Sequence, residues 1–299
     1  MSYFLGYDVG GTKIKCGVVD EEGEIESEIS IDTPKNLQEF LNSIGNVFKD
    51  FKEKYDIEAA GLGIAGFHNL QKGIIYNSPN IDYFREVKIK LFLNRYFTVP
   101  FFINNDANLA AWGEYKKGSG KNSHSMVFIT LGTGVGSGII LNGKLWVGAN
   151  GFGGEFGHSV VNPEGDDCKC GGKGCVETEV AAAKILKNYL AMKKKEEILD
   201  TKEIYLRAEK GDKEAIEAFR KAGYYLGIGL SSLINILNPQ RIVIGGGIIG
   251  AGDFIMKPAV EEIKRRCHEW IYKNTEISIA SLGNRAGMIG AALWARENL

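Results

Sequence analysis

The sequence has no excess of charge of either sign, no long apolar run and few cysteines. Its 36 basic and 37 acidic side chains give a net charge of −1, so we do not expect the basic face that binds nucleic acid. No apolar run approaches the roughly 18 residues of a membrane span, and no basic-then-apolar leader opens the chain. The five cysteines suit a reducing compartment better than a disulfide framework. These absences predict a cytoplasmic protein that binds neither nucleic acid nor a membrane.

Two common nucleotide-binding motifs are also missing. The segment Gly61–Gly66 has the glycine spacing of a dinucleotide-binding loop, but a turn follows it where that loop requires a helix. Gly11 is followed by Thr12 and then Lys13, whereas a Walker loop requires lysine before serine or threonine. Any phosphate binding in this chain must therefore use a different loop.

The remaining pattern is that of an α/β protein. A chain of 299 residues is long for a single core, so two domains are expected. Apolar spacing predicts helices over Leu37–Tyr55, Ala107–Tyr115 and Val176–Met192. It also predicts a strand over Phe101–Asp106 that ends in polar residues, and a strand over Arg241–Ile244. Alternating strands and helices indicate an α/β fold. Small residues at Ala286, Gly287, Gly290, Ala291 and Ala292 predict a final helix that packs closely on a neighbour.

One short unit occurs twice along the chain. Gly11–Val19 matches Gly132–Ile140, and each follows an apolar run and leads into a second strand. Both units therefore read as β-hairpins whose connecting loop is rich in glycine and threonine. Such a loop exposes backbone N–H groups and lets an anion approach closely. Two such loops suggest two lobes that hold one polyphosphate; the alternative is two unrelated glycine-rich turns.

One histidine and three cysteines fall within a single segment of the chain, namely His158, Cys168, Cys170 and Cys175. One imidazole and three thiolates are the complement of a closed tetrahedral zinc site. The neighbouring carboxylates Glu155 and Glu177 are poor ligands for such a thiol-rich site, so a metal here would hold two acids in place near a polar ligand. The alternatives are a zinc knuckle that only stabilises a loop, or cysteines that are close by chance.

Six segments of the chain together resemble the ROK family of sugar kinases and sugar-responsive repressors. The segments are Asp8–Lys13, Asn104–Asn108, Leu131–Gly134, Glu155–His158, Cys168–Glu177 and Gly245–Gly247. The resemblance implies an actin-like ATPase (ribonuclease H-like) fold, an α/β fold of two lobes around a cleft. We expect a small lobe of residues 1–117 and 285–299, and a large lobe of residues 118–284. The repressor branch adds an N-terminal helix-turn-helix, which we do not expect here because the first predicted strand begins at Tyr3.

The resemblance also implies a role for each matching residue. Asp106 would be the general base that accepts the proton of the sugar hydroxyl. Sugar-binding residues would be Gly66, Asn80, Asn105, Asp106, Glu155, His158 and Glu177. ATP would be held by Gly10, Gly11, Thr12 and Lys13, by Gly132, Thr133 and Gly134, and by Gly246 and Gly247. Asp8 would face Mg²⁺ through water. Helix capping is the alternative role for Asp106, and a loop hydrogen bond is the alternative for Asp8.

The predicted function is ATP- and Mg²⁺-dependent phosphorylation of a hexose at its 6-hydroxyl, by a homo-oligomer (dimer or tetramer) that carries a structural Zn²⁺. Glucose is favoured because the segment from His158 to Cys168 is short, as in the glucokinase-like members, whereas N-acetylglucosamine kinases of the family look longer there. One alternative is a kinase for another hexose, such as fructose or N-acetylmannosamine. A non-enzyme alternative is a sugar sensor without turnover, for which both phosphate loops and Asp106 would be unnecessary.

Overall fold

A computed structural model describes residues 2–194 and 199–299 of the chain. The chain divides into two compact units: the first comprises Met1–His124, Gly138–Gly154 and Ala280–Leu299, and the second comprises Ser125–Ser137 and Glu155–Ile279. The lobe boundaries expected from the sequence stay a prediction. The division seen here differs from them most in residues 138–154, which belong to the first unit.

The first unit is built on a five-stranded sheet of order β3-β2-β1-β4-β8 and a small sheet of order β5-β6-β7. Strand β1 pairs antiparallel with β2 and parallel with β4. The strands are β1 Tyr3–Val9, β2 Lys13–Asp20, β3 Ile25–Asp32, β4 Ile57–Ile64, β5 Phe67–Asn69, β6 Ile74–Asn77, β7 Arg85–Val87 and β8 Phe101–Asn104. The helices of residues 2–124 are α1 Leu37–Lys52, α2 Ile89–Leu93 and α3 Asp106–Lys116.

Helix α1 shows how the sequence pattern produces the core of this unit. The Asn36 side chain accepts a hydrogen bond from the Glu39 N–H group and so caps the helix. Phe40, Ile44 and Phe48 recur at helical spacing and are buried in one cluster with residues of β1 and β4. The helix predicted from this spacing is confirmed, although it ends at Lys52.

The second unit contains most of a second five-stranded sheet, of order β11-β10-β9-β12-β13. Strand β12 pairs parallel with both β9 and β13. The strands of this sheet are β9 Met126–Leu131, β10 Val135–Leu141, β11 Lys144–Trp146, β12 Arg241–Gly245 and β13 Glu276–Ile279. The helices that follow β11 are α4 Val176–Val180, α5 Ala182–Lys193, α6 Thr201–Glu209, α7 Lys213–Leu237, α8 Asp253–Arg266, α9 Glu269–Tyr272 and, in the first unit, α10 Ala286–Glu297.

Close helix packing explains two sets of small residues. Gly223 and Gly227 of α7 lie against backbone carbonyl groups of α8, where a side chain would overlap them. In the first unit, Gly290 of α10 lies equally close to the backbone of α3. The predicted close packing of the final helix is therefore confirmed. None of the helices within the described residues has the combination of length and apolar character needed to cross a membrane.

One predicted helix is wrong in its continuity. The segment Val176–Met192 was expected to form a single helix, but Ala181 adopts an extended backbone and separates α4 from α5. The break leaves α4 only five residues long. Glu177 and Glu179 are both in this short helix, so its placement determines where two carboxylates lie.

Candidate functional site in each unit

The first glycine-threonine loop connects β1 to β2 in a tight, hydrogen-bonded turn. The Gly10 N–H group donates to the Lys13 carbonyl oxygen over 3.0 Å. The Thr33 hydroxyl donates to the Gly10 carbonyl oxygen over 2.7 Å, and the Thr33 N–H group donates to the Thr12 carbonyl oxygen over 3.0 Å. Gly11 and Thr12 are exposed at the turn. The loop thus presents backbone to solvent while β3 and its extension hold it in place.

Two residues predicted to bind substrates, Asn80 and Lys13, lie at or beside this loop. A Cβ atom on Gly11 would lie 3.0 Å from the Asn80 side chain, so the phosphate loop lies beside a predicted sugar residue. Lys13 is the first residue of β2, and its Nζ pairs with Asp32 of β3 at 2.6 Å. Both partners of this ion pair are largely exposed, so the pair itself adds little stability.

Asp8 lies near the end of β1 under the first residues of α10. Burial raises the pKa of the Asp8 carboxyl above its ordinary value, and the nearby Lys15 ammonium opposes that shift. A Cβ atom on Gly287 would lie 2.8 Å from the Asp8 carboxyl carbon, so only glycine leaves room for the carboxylate. A carboxylate whose burial outweighs the effect of the nearby Lys15 ammonium suits a group that would face Mg²⁺.

The end of β8 places Asn105 and Asp106 at the start of α3. The Asn105 Oδ1 accepts hydrogen bonds from the Ala107 and Asn108 N–H groups at 2.9 and 3.2 Å. Its Nδ2 donates to the Gly66 carbonyl oxygen at 3.2 Å. Asn105 is therefore the N-cap of α3 and also holds the segment that contains Gly66.

Asp106 is the first residue of α3 and does not cap it. The capping role considered for Asp106 is therefore wrong, because Asn105 performs it. A Cβ atom on Gly63 of β4 would lie 3.4 Å from the Asp106 Cα atom, so the helix start packs directly on the sheet. The Asp106 carboxylate consequently projects from a fixed backbone, as a general base requires.

The second glycine-threonine loop joins β9 to β10 and is bound by a carboxylate from α4. The Val135 N–H group donates to Glu177 Oε2 at 2.9 Å. A side chain on Gly134 would overlap the same oxygen, so glycine is required there. The Gly132 N–H group also donates to the Gly134 carbonyl oxygen at 2.9 Å. Glu177, expected to bind the sugar, thus also touches the predicted phosphate loop.

Gly246 and Gly247 follow β12, which runs parallel to β9. Gly246 has φ of +90°, and a Cβ atom there would overlap the backbone of Leu131. Gly247 has open space where a side chain would be. The two parallel strands therefore end in adjacent glycine segments.

The histidine and the three cysteines converge in the second unit. One ligand atom from each of His158, Cys168, Cys170 and Cys175 lies within 4.8 Å of the others. The Cys168 Sγ is 3.6 Å from His158 Nδ1, and the Cys170 and Cys175 Sγ atoms are 3.7 Å apart. A tetrahedral zinc ion with Zn–S bonds of about 2.3 Å spaces its ligands by roughly 3.8 Å. The four side chains therefore fit a zinc ion.

The chemistry of the thiols also favours a cation. Burial raises the pKa of the Cys175 thiol to about 12, because a bare thiolate there would lack solvation. A metal ion supplies the missing positive charge and displaces the proton. The connecting turn is compact, since the Cys168 N–H group donates to the Gly172 carbonyl oxygen at 2.8 Å.

His158 joins this cluster to the carboxylates. Its Nδ1 faces Cys168, whereas its Nε2 is 4.0 Å from Glu155 Oε2. Burial raises the pKa of the Glu155 carboxyl; His158 opposes the shift and Glu177 adds to it. The imidazole can therefore bind a metal through one nitrogen while the other faces Glu155.

The predicted site residues thus form compact groups within each unit. The first unit holds Asp8, the Gly10–Lys13 loop, Gly66, Asn80, Asn105 and Asp106, and the second holds Gly132–Gly134, Glu155, His158, Glu177, Gly246, Gly247 and the cysteines. Sequence reasoning missed Asn104, whose buried Oδ1 accepts from the Asn105 N–H group at 2.8 Å. Its place in an unbroken polar run after an apolar strand is the signal that could have identified it. Gly287 had no such signal, because its contact with Asp8 is visible only in the folded chain.

Comparisons with known proteins agree with this geometry. A glucokinase from Streptomyces coelicolor is 36% identical over 318 aligned residues, which cover 99% of this chain and 98% of that protein. An N-acetylmannosamine kinase from Haemophilus influenzae is 33% identical, with 99% and 96% covered. The crystal structure of a ROK family glucokinase from Streptomyces griseus in complex with glucose and AMPPNP superposes with a TM-score of 0.84 at 34% identity, covering 99% of each chain. The predicted α/β actin-like ATPase fold is confirmed. The profile of the ROK family matches residues 4–298, and the chain belongs to that family.

Proposed function

We propose that this protein is an ATP-dependent hexose kinase that phosphorylates the 6-hydroxyl of glucose. The observation that carries the proposal is the pairing of Asn105 and Asp106 at the start of α3. Asn105 caps the helix and Asp106 is its first residue, so a carboxylate stands at the end of β8 where the resemblance to sugar kinases places the general base. The similarity to glucokinases over nearly the whole chain supports the same activity.

Asp106 acts as the general base in this proposal. Its carboxylate accepts the proton of the 6-hydroxyl as that oxygen attacks the γ-phosphorus of ATP, and the bond from the γ-phosphorus to the bridging oxygen of ADP breaks. Mg²⁺, held by Asp8 through water, would supply positive charge to the phosphate oxygens. The backbone N–H groups of Gly10–Thr12 in the first unit and of Gly132–Gly134 in the second are the candidates for binding phosphate oxygens.

The sugar is held by side chains that the fold has already fixed. Asn105 is anchored by its contacts with α3 and Gly66. Glu177 is anchored by the Val135 N–H group, and its second oxygen is the one that can accept a sugar hydroxyl. The other candidate sugar contacts are Glu155 and the Nε2 of His158 in the second unit, and Gly66 and Asn80 in the first. Hydrogen bonds from fixed groups favour one pattern of hydroxyls, because an unpaired buried acceptor costs about 1–3 kcal/mol.

Zinc is the metal proposed for His158, Cys168, Cys170 and Cys175. The distances among their ligand atoms support this assignment. Its role would be structural, since four protein ligands leave no open position for substrate. It would fix the imidazole of His158 and thereby the polar surface beside Glu155. A cytoplasmic location remains part of the proposal, and it is consistent with the five free cysteines.

The decisive experiment measures ADP release with purified, zinc-containing protein over a panel of hexoses. We expect turnover with glucose and loss of turnover in Asp106→Asn. Sugar binding without ADP release would favour the sugar-sensing alternative. The similarity to N-acetylmannosamine kinase makes that sugar the most informative competitor, and a preference for it would replace the substrate while keeping the kinase. The expected dimer or tetramer is tested on the same preparation by sedimentation.

A further inference from the structure

The second unit contains a polar cavity that none of the predicted site residues lines. Its volume is about 360 Å³, and its walls come from α4, α5, α7 and the segment between His158 and Cys168. The residues that matter here are Asn162, Glu179, Lys184, Asn188, Lys221 and Tyr224. A cavity with this much polar surface and this few apolar side chains is not explained by core packing.

Three polar groups in the wall have no partner within the described chain. The Lys221 ammonium, the Asn188 amide and the Tyr224 hydroxyl line the cavity, and none of them makes a hydrogen bond or ion pair with residues 2–194 or 199–299. All three side chains are only partly exposed. Because these groups face the cavity and are not used by the described chain, they are available to a bound ligand.

The charges in the wall favour an anion. Lys184 is already paired, with Glu179 Oε2 at 3.2 Å and Asp166 Oδ2 at 2.8 Å. Arg220 also lines the cavity and is paired with Glu217. Lys221 makes no ion pair with the described residues, although its charge acts on the nearby Glu217 carboxylate, which Arg220 already pairs. The wall holds three basic side chains to one acidic side chain.

The remaining wall suits a polyol. Tyr224 and Tyr225 present two rings at 5.1 Å between centroids in an edge-to-face arrangement. Aromatic faces pack against the C–H surface of a sugar ring, while amide and hydroxyl groups bind its hydroxyls. A phosphate suits Lys221, because charge-assisted hydrogen bonds to phosphate are stronger than neutral ones. We propose that this cavity binds a small phosphorylated sugar, at a site separate from the residues assigned to catalysis.

The cavity and the predicted sugar-binding residues of the second unit share two elements, namely helix α4 and the segment between His158 and Cys175. Glu179 is 2% exposed and lies two residues beyond Glu177 in the short helix α4. Asn162 Nδ2 donates to Glu179 Oε1 at 3.1 Å, and the Asn162 N–H group donates to the Gly174 carbonyl oxygen, next to Cys175, at 3.0 Å. A phosphate in the cavity would compete with Glu179 for Lys184. Binding should therefore weaken the ion pair that Lys184 makes with Glu179 of α4 and raise the KM for the sugar.

This inference rests on the proposed function only in its choice of ligand, because the expected product is itself a sugar phosphate. The test is calorimetric titration of glucose 6-phosphate into the zinc-containing protein held in saturating glucose, which occupies the catalytic sugar site. We expect one binding event. The affinity for glucose 6-phosphate should fall about tenfold or more in Lys221→Met, because the variant loses one charge-assisted hydrogen bond. Lys221→Arg should retain binding. Lys213→Met removes the same charge from an exposed position of the same helix and should leave the binding unchanged.

The outcomes separate the two proposals. Binding that Lys221→Met weakens supports the site even if the protein shows no ADP release, which would overturn the kinase alone. Equal binding in the wild type and Lys221→Met overturns the site, whatever the activity. Inorganic phosphate that binds as tightly as the sugar phosphate, with the same dependence on Lys221, overturns the sugar part of the assignment. In the kinetic arm, glucose 6-phosphate should raise the KM for glucose less in Lys221→Met than in the wild type.

Discussion

At the level of single residues, Asn105 and Asp106 divide two tasks that one residue often combines. Asn105 caps α3 and fixes its start, and Asp106 supplies the carboxylate. We therefore expect Asp106→Asn to leave the fold and the sugar affinity nearly unchanged, while kcat falls by about 10²-fold or more, the range of general-base catalysis. Steady-state kinetics and a sugar titration on the same sample test this expectation. Near-normal turnover in the variant would show that another group accepts the proton.

His68 gives a second prediction, this time about stability. Its side chain is 3% exposed, and its Nε2 is 2.7 Å from the Ile64 carbonyl oxygen. Burial lowers the pKa of His68 from 6.5 to about 4, and the hydrogen bond to Ile64 only partly opposes the shift. Between these pH values the unfolded chain binds a proton that the folded chain does not, so the free energy of unfolding should fall as the pH decreases.

The measurement for His68 compares the wild type with His68→Gln in denaturant titrations at pH 7 and pH 5. Glutamine can still donate to the Ile64 carbonyl oxygen, but it does not titrate. The histidine should add a pH dependence of at most about 1.4 kcal/mol per pH unit, which the variant lacks. Identical pH dependence in both proteins would mean that His68 is protonated in the folded state as readily as in the unfolded one.

These residues also show which features of the site can be predicted from the sequence. The sequence predicts a strand over Phe101–Asp106 that ends in polar residues; in the structure the strand ends at Asn104 and α3 begins at Asp106. The sequence cannot say which of two adjacent polar side chains caps the helix, because both residue types favour that position. The contact between Asp8 and Gly287 was beyond prediction, since it depends on how α10 returns to β1.

Among helices and loops, the segment from His158 to Cys175 carries the clearest prediction. The protein should contain about one zinc ion per chain, and Cys175→Ser should lose it. Because Glu155 lies beside His158, loss of zinc should lower both stability and activity. Metal analysis and kinetics on the same samples test this. Cys267→Ser is the matched control, since that buried cysteine lies outside the cluster and should keep the zinc.

Helix α10 provides a test of close packing. A Cβ atom on Gly290 would overlap the carbonyl oxygen of Leu109 in α3, so Gly290→Ala must push two backbones apart. Overpacking of this kind costs about 1–3 kcal/mol, and denaturant titration should show a loss of at least that size. Gly250→Ala is the control, because open space surrounds the added atom. A Gly290→Ala variant as stable as the wild type would show that α10 can shift freely.

The presence of helices and hairpins was easier to predict than a break within a helix. The helical spacing in Leu37–Lys52 identified α1, and the two glycine-threonine loops identified the hairpins. The break at Ala181 was missed because its residue type favours helix. The extended backbone at Ala181 still donates, from its N–H group, to the Glu177 carbonyl oxygen, while the Ala182 N–H group donates to Gly132. A tertiary contact with the phosphate loop thus accompanies the break, and local propensity does not report such contacts.

At the scale of the whole protein, the open question is which sugar it phosphorylates. The prediction of glucose depends on the segment between His158 and Cys168. That segment is short, and it is held by its own backbone. The Val161 N–H group donates to the Gly174 carbonyl oxygen at 2.9 Å, and the Gly165 N–H group donates to the Asn162 carbonyl oxygen at 2.8 Å. Asp166 is fixed further by its ion pairs with Lys184 and Lys187. We expect a segment held in this way to resist opening for a bulkier 2-acetamido group.

We therefore expect kcat/KM for glucose to exceed that for N-acetylmannosamine and N-acetylglucosamine by about 10²-fold or more, because two lost hydrogen bonds or one clash cost several kcal/mol. All three sugars should be measured on one preparation, with ADP release as the readout. 2-Deoxyglucose is the matched control, since it removes the 2-hydroxyl without adding bulk. If it falls well below glucose, the 2-hydroxyl is bound directly; if only the acetamido sugars fail, steric exclusion by the segment decides. Parity between glucose and either acetamido sugar would overturn the substrate assignment and leave the kinase chemistry of Asp106 in place.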